Sequence, residues 1–217
     1  IVEDTDWVNF SGKFDDKKLN GEIRLKGLLS DHWSIKDNNY SYKIKLKGDN
    51  TILGMKRFSI QHPRTRNYMV DWYFQKMLKQ EGIISARYYF NPVIINGRRH
   101  PIYQFEEGFE KRLIENNERR EGPIFKLFNR ESAENLYVPG ISFYQKNKWI
   151  QTSQGQKSLR RVERLIYGFK NGELNAEEVF DVKLFAKTFA ILDLFGSHHA
   201  AGKHNIRFYL NPISGLI

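Results

Sequence analysis

The sequence predicts an α+β fold in which strands dominate the first half of the chain and helices dominate the second. Between residues 22 and 47, apolar and charged residues alternate with the period of a strand. From about residue 158 onwards, apolar residues recur at helical spacing. We therefore expect a sheet-rich region over residues 1–106 and a mainly helical region over residues 107–217.

The strand predicted over residues 41–48 carries an unusual run of like charges. Apolar residues occupy one face, whereas Lys43, Lys45 and Lys47 form a row on the other. Like charges side by side on a sheet are destabilising, so a solvated strand face usually mixes charge signs. The row indicates an anion nearby, although ordinary surface lysines would give the same pattern.

The middle of the chain continues with elements predicted from the same two periodicities. They are a helix over 65–81 that Gly82 ends, a hairpin formed by strands 87–95 and 101–105, a polar helix over 108–120 and a strand over 124–128. Residues 129–156 are rich in Gly, Ser, Gln and Asn, which predicts a long loop or insertion.

The last third is predicted to place a polar loop between a helix and a strand. A helix over 158–169 is followed by a capping box at Asn175 and a helix over 176–195, which is apolar nearly all round and therefore expected to be buried. The loop 197–205 then leads into a strand over 206–210. This order, with a sheet-rich N-lobe and a helical C-lobe, is that of the protein-kinase-like bilobal fold.

The composition limits the classes of function. The net charge is +10 and the chain has no cysteine, which excludes disulfides and thiolate zinc sites. A basic chain favours a polyanionic partner such as a nucleotide, nucleic acid or anionic lipid, or simply a solvated basic surface. No run of about 18 apolar residues is present, so we expect no membrane span. The absence of nucleic-acid-binding motifs disfavours nucleic acid.

Three segments resemble the CotH kinase-like family, especially bacterial members outside its spore-coat branch. They are SYKIKLKGDNTILGMKRFSIQHPRTRNY, VIINGRRHPIYQFEEGFEKRLIENNERREGPI and HNIRFYLNPISG. The resemblance implies an atypical kinase that transfers the γ-phosphoryl group of ATP, with Mg²⁺ or Mn²⁺, to Ser or Thr of a protein substrate. It slightly favours a secreted or cell-envelope location. The alternative is a non-catalytic, pseudokinase-like module that binds a nucleotide or another polyanion.

The resemblance also implies a set of nucleotide-binding residues. Lys45, with Lys43 next, matches the lysine that holds the α- and β-phosphates. Asp71 lies where an acid on the following helix would lock that lysine, and Glu106 and Glu107 lie at the expected hinge between the lobes. Each acid also has an ordinary explanation, as a solvated helix residue or as a charge favoured near a helix N-terminus.

The loop before the last strand carries the predicted catalytic residues. Asn205 is expected to offer its side-chain oxygen to a divalent metal ion. His199 lies near the position of the family's upstream Asp, where it could act as a base or be structural. The spacing of His198, His199 and His204 does not favour a zinc hydrolase. A further metal-binding Asp is expected beyond Ile217, so this truncated fragment is expected to hold Mg²⁺ poorly.

Overall fold

The chain forms α+β structure in two compact units. The computed structural model describes residues 6–27, 32–34, 39–131, 137–202 and 205–217. The first unit comprises residues 1–79 and 84–113, and the second comprises residues 80–83 and 114–217. In these described ranges, no helix is both long and apolar enough to cross a membrane.

The first unit is built on a six-stranded antiparallel sheet. The strands follow the spatial order β1-β2-β5-β6-β8-β7, and a short ribbon of β3 and β4 accompanies them. Their bounds are β1 Val8–Phe14, β2 Lys17–Leu25, β3 Trp33–Ser34, β4 Asn39–Tyr40, β5 Tyr42–Leu46, β6 Arg57–Gln61, β7 Tyr88–Ile95 and β8 Arg98–Glu107.

The two faces of this sheet differ in polarity because side chains alternate along each strand. One face carries the apolar core, which includes Ile44, Phe58, Ile60 and Phe105. The alternation predicted for residues 41–48 is confirmed, since Ile44 and Leu46 are buried. The opposite face is polar, and one row of paired residues crosses five strands: Arg24, Lys43, Ser59, Glu106 and Tyr88.

The helix predicted over residues 65–81 is interrupted near its start. A 3-10 turn, Pro63–Arg66, is followed by helix α1, Val70–Gln80. The proline begins the turn, and the His62 side chain accepts a hydrogen bond from the Arg64 backbone N–H. Asn67 and Tyr68 then adopt left-handed φ values of 49° and 58°, which no α-helix accommodates. We call residues 63–70 the elbow.

The second unit combines a three-stranded sheet with short and long helices. Its sheet has the order β10-β9-β11, and the core includes Phe125, Val162, Ile166 and Val179. The bounds are α2 Lys111–Asn116, at the junction of the units, then β9 Ile124–Glu131, β10 Tyr137–Phe143, α3 Lys146–Trp149, α4 Ser153–Lys170, α5 Ala176–Val179, α6 Val182–Leu194, a 3-10 helix His198–Ala201 and β11 Phe208–Tyr209.

The prediction of a long loop over residues 129–156 is wrong. Residues 137–143 pair with β9 as strand β10, and α3 and the start of α4 follow. Gly140 lies opposite Phe128, whose ring occupies the space that a side chain at 140 would need. The glycine that resembled a loop residue is therefore a site of close side-chain packing within the sheet.

The prediction of a single buried helix over residues 176–195 is also wrong. The capping box at Asn175 is confirmed, but α5 ends at Val179 and Asp181 begins α6 by accepting a hydrogen bond from the Leu184 N–H. The backbone between the helices bonds to Ile217 instead. Helix α6 leaves several large apolar side chains exposed, namely Val182, Phe189 and Leu194.

We expect Tyr68→Gly to raise the free energy of unfolding by about 1 kcal/mol, because glycine adopts the left-handed conformation without the steric cost that a Cβ brings. The side chain of Tyr68 is 59% exposed, so its loss costs little packing. Tyr68→Ala removes the same side chain but keeps the Cβ, and should give no such gain in chemical denaturation. Equal stability of both variants would contradict the prediction.

Candidate functional site

Five polar side chains converge on the polar face of the first unit's sheet. Each comes from the end of an element or from the residue just beyond one. Lys26 follows β2, Gln61 ends β6, Glu106 lies near the end of β8, Arg66 ends the 3-10 turn and Asp71 lies in the first turn of α1. We call these residues the Lys26–Glu106 cluster.

Glu106 is the centre of the cluster. Its Oε2 atom accepts a 2.7 Å hydrogen bond from Lys26 Nζ and a 2.8 Å hydrogen bond from Gln61 Nε2. Arg66 Nη2 lies 3.7 Å from the same oxygen, and Arg66 Nε lies 3.4 Å from Asp71 Oδ2. One carboxylate oxygen is therefore approached by two cations and an amide.

The electrostatics of the cluster follow from burial and from these neighbours. Burial is the largest single influence on Glu106 and would raise its pKa, but Lys26, Arg66 and Gln61 together lower it to about 2. Burial lowers the pKa of Lys26, against the opposing effect of Glu106. Burial also raises the pKa of Asp71, and Arg66 opposes this. Glu106 is therefore firmly ionised at neutral pH.

The solvent exposure of the side chains increases from one side of the cluster to the other. The exposed fraction of the side chain rises from 11% for Lys26 and 24% for Glu106 to 33% for Arg66 and 39% for Asp71. An incoming ligand would thus meet Arg66 and Asp71 first and Lys26 last. Charges held partly out of water interact more strongly than exposed charges, so the Lys26–Glu106 ion pair is the strongest contact of the cluster.

A second set of polar groups lies beside Glu106 in the sheet. Gln104 is fully buried, and its side chain lies beside the Tyr88 hydroxyl. Burial, with Glu106 and Asp71 adding to it, raises the pKa of Tyr88, whereas the Gln104 side chain lowers it. The phenol therefore stays neutral at neutral pH.

The predicted phosphate lysines lie on the same face of the sheet but outside the cluster. Lys45 Nζ donates a 2.9 Å hydrogen bond to Glu22 and lies 4.4 Å from the centre of the Trp7 ring. Lys43 pairs across the sheet with Arg24 and with Ser59 on β6. The anion that the lysine row indicated is, for Lys45, a carboxylate of the protein. Nucleotide binding by Lys43 and Lys45 stays a prediction.

The two hinge acids face opposite sides of the sheet. Glu106 points to the polar face, whereas Glu107 is 1% exposed and binds Arg87 on the other face. Glu107 Oε2 accepts 3.0 Å hydrogen bonds from the Arg87 N–H and Nε, and its Oε1 pairs with Arg87 Nη2. Glu107 thus ties β7 to β8, and its nucleotide-binding role stays a prediction.

The predicted catalytic loop belongs to the second unit. The Asn205 backbone N–H donates a 2.8 Å hydrogen bond to Gly202 O, and the residue is exposed. His198 and His199 lie in the 3-10 helix, but their side chains, and all of His204, fall outside the described part of the chain. Within that part, no group of three or more His, Asp or Glu residues could hold a metal ion. The roles of Asn205 and His199 stay predictions.

Sequence reasoning found two members of the cluster, Asp71 and Glu106, and missed Lys26, Gln61 and Arg66. Lys26 is the first residue past a strand and carries no spacing signal that links it to Glu106, 80 positions later. In the sheet, β5 and β6 lie between β2 and β8, so no direct strand pairing links the two residues either.

The fold and site together define an α+β protein that holds an ion-paired lysine on the polar face of an antiparallel sheet. A lysine paired with a carboxylate is a recurring part of phosphoryl-transfer sites. The family model for CotH kinase protein matches residues 23–215, nearly the whole chain. The protein therefore belongs to the CotH kinase family, which confirms the resemblance drawn from the sequence. A comparison with curated proteins finds no match.

We expect Glu107→Gln to lower the free energy of unfolding by about 3–5 kcal/mol, because it leaves the Arg87 guanidinium buried without its counter-ion. Glu22→Gln is the matched control. It breaks the more exposed Lys45 pair, whose side chains are 30% and 34% exposed, and should cost much less stability than Glu107→Gln. Chemical denaturation at neutral pH measures both changes, and similar small losses would contradict a structural role for Glu107.

We also expect Glu106 to make the protein acid-sensitive. Its pKa in the folded protein is about 2, below the ordinary value of 4.5. A lowered carboxyl pKa gives stability that is fully present above pH 4.5 and is lost as the pH falls towards 2. The free energy of unfolding should therefore fall more steeply between pH 5 and pH 3 in the natural protein than in Glu106→Gln. Parallel pH profiles would contradict this assignment.

Proposed function

We propose that the protein binds the phosphates of ATP through Lys26 and transfers the γ-phosphoryl group to Ser or Thr of a protein substrate. Membership of the CotH kinase family supports a kinase-like function. The observation that supports the role of Lys26 is its 2.7 Å hydrogen bond to Glu106 on the polar face of the sheet. Phosphoryl transfer depends mainly on positioning and on neutralising phosphate charge, which such a pair provides.

Lys26 suits this role better than Lys45. The Lys26 side chain is 11% exposed, whereas that of Lys45 is 30% exposed and already spans Glu22 and Trp7. Glu106 keeps a second hydrogen bond, from Gln61, when the Lys26 ammonium turns to a phosphate. The carboxylate thus holds the lysine in place without depending on it alone.

The metal requirement is part of the same proposal. Mg²⁺ is commonly held by one or two side chains together with substrate phosphates, so a large protein cage is not needed. Asn205 is the residue of this chain that we propose as a ligand, and its amide oxygen suits a hard cation. When bound, the metal ion would neutralise charge on the β- and γ-phosphate oxygens.

We further propose that the two units correspond to the two lobes of a kinase-like fold. The first unit supports this correspondence, because a helix, α1, precedes the last two strands of an antiparallel sheet. The second unit supports it through its helices and through the position of Asn205 just before β11.

A non-catalytic, nucleotide-binding role is the second candidate. It is favoured by the segment between Asp193 and Asn205, which has no carboxylate where the family resemblance places an Asp. His199 lies near that position. Transfer of radioactive phosphate from ATP to the chain or to a general protein substrate would exclude this candidate.

We expect ATP with Mg²⁺ or Mn²⁺ to raise the thermal unfolding midpoint of the natural protein. Lys26→Met should weaken nucleotide binding about 10- to 100-fold, since it removes a charged hydrogen-bond donor to phosphate. Lys45→Met tests the lysine that the sequence predicted, and under the present proposal it should bind as the natural protein does. Loss in Lys45→Met alone would transfer the role to Lys45. No stabilisation by any nucleotide–metal pair would overturn the proposal.

A further inference from the structure

Arg66 occupies a distinctive place in the Lys26–Glu106 cluster. Its guanidinium lies between the carboxylates of the sheet and of α1, 3.7 Å from Glu106 Oε2 and 3.4 Å from Asp71 Oδ2. Its side chain is 33% exposed, three times the exposed fraction of Lys26. Arg66 is therefore the cation of the cluster that a ligand from solvent reaches first.

The charge balance of the cluster limits what Lys26 can do alone. Among the described residues of the cluster, the two cations, Lys26 and Arg66, offset the two carboxylates, Asp71 and Glu106. A triphosphate brings three or more negative charges into partly buried surroundings, where unbalanced charge is costly. A bound metal ion would neutralise part of this charge, and the remainder favours turning donors of both cations towards phosphate.

We infer that Arg66 is a second phosphate-binding residue, which acts with Lys26 on the polyphosphate of the nucleotide; this inference rests on the proposed function. A guanidinium has five N–H donors in a planar fork and binds phosphate through two of them at once. Arg66 can thus face Asp71 through Nε and still direct donors of its Nη atoms to phosphate. Lysine has no comparable fork.

The backbone that follows Arg66 supports this role, because its next two residues adopt a costly conformation. Arg66 is followed by Asn67 and Tyr68, both left-handed, and a bulky residue such as tyrosine is uncommon there. The Asn67 and Tyr68 N–H groups donate to the carbonyls of Arg64 and Pro63, which closes the elbow tightly. Strained backbone of this kind concentrates at ligand-binding sites, where it fixes a side chain in advance.

The test compares the affinities of ATP and AMP, each with Mg²⁺, measured by titration calorimetry on the whole chain. Arg66→Met should lower the ratio of ATP affinity to AMP affinity about tenfold or more, because the lost contacts are to the polyphosphate. Arg66→Gln should give the same result and keeps a polar group beside Asp71 and Glu106. Arg64→Met removes an exposed arginine of the same turn and should leave the ratio unchanged.

Two outcomes would overturn the inference, and they differ from failure of the proposed function. An unchanged ATP-to-AMP ratio in both Arg66 variants, with ATP binding still lost in Lys26→Met, would show that Lys26 binds phosphate without Arg66. A parallel loss of ATP and AMP affinity, accompanied by a lower unfolding midpoint, would show that Arg66 only supports the fold. Absence of ATP binding by the natural protein would overturn the proposed function itself.

Discussion

The period-two alternation of β8 is the constraint on which the rest of the first unit depends. It sends two consecutive acids to opposite faces of one sheet, Glu106 to Lys26 and Glu107 to Arg87. The Glu107 carboxylate is buried in its contact with Arg87, whereas the Glu106 carboxylate is partly exposed beside Lys26 and Arg66. A shift of register by one residue would exchange the faces of the two acids and separate each from its cation.

These separate contacts explain how Glu106 keeps a fixed position in the cluster. The Arg87–Glu107 contact fixes the end of β8 through main-chain and side-chain hydrogen bonds at once. Glu106, one residue earlier, therefore keeps its position whatever its own partners do. Groups that exchange partners during a reaction need such support from side chains that do not.

Much of the fold could be predicted from the sequence, because alternation and capping are local signals. The core face of β5, the 87–105 hairpin region and the Asn175 capping box all depend on residues close together in the chain. The elbow and β10 could not be predicted in this way. Left-handed tyrosine and a glycine packed under an aromatic ring are tolerated only because tertiary contacts over-determine the backbone.

The candidate site shows the same limit. Family resemblance pointed to Asp71 and Glu106, which do lie together. It favoured Lys45, which matches the family's strand lysine and lies in a row of lysines, whereas Lys26 is a single residue at a strand end. The row obeys the rule that like charges need a nearby anion, and Glu22 supplies it for Lys45. Because Glu22 on the neighbouring strand already supplies the anion for Lys45, the charge pattern of the row could not indicate the contact between Lys26 and Glu106.

The buried phenol of Tyr88 gives the protein a spectroscopic marker of its own integrity. Because burial and the adjacent carboxylates oppose its ionisation, it should stay a phenol in alkali that converts exposed tyrosines to phenolate. Absorbance from such a group appears only when the sheet opens around Glu106. Burial also raises the pKa values of Tyr42, Tyr103 and Tyr209, so the alkaline difference spectrum must be compared with that of Tyr88→Phe to identify the signal from the site.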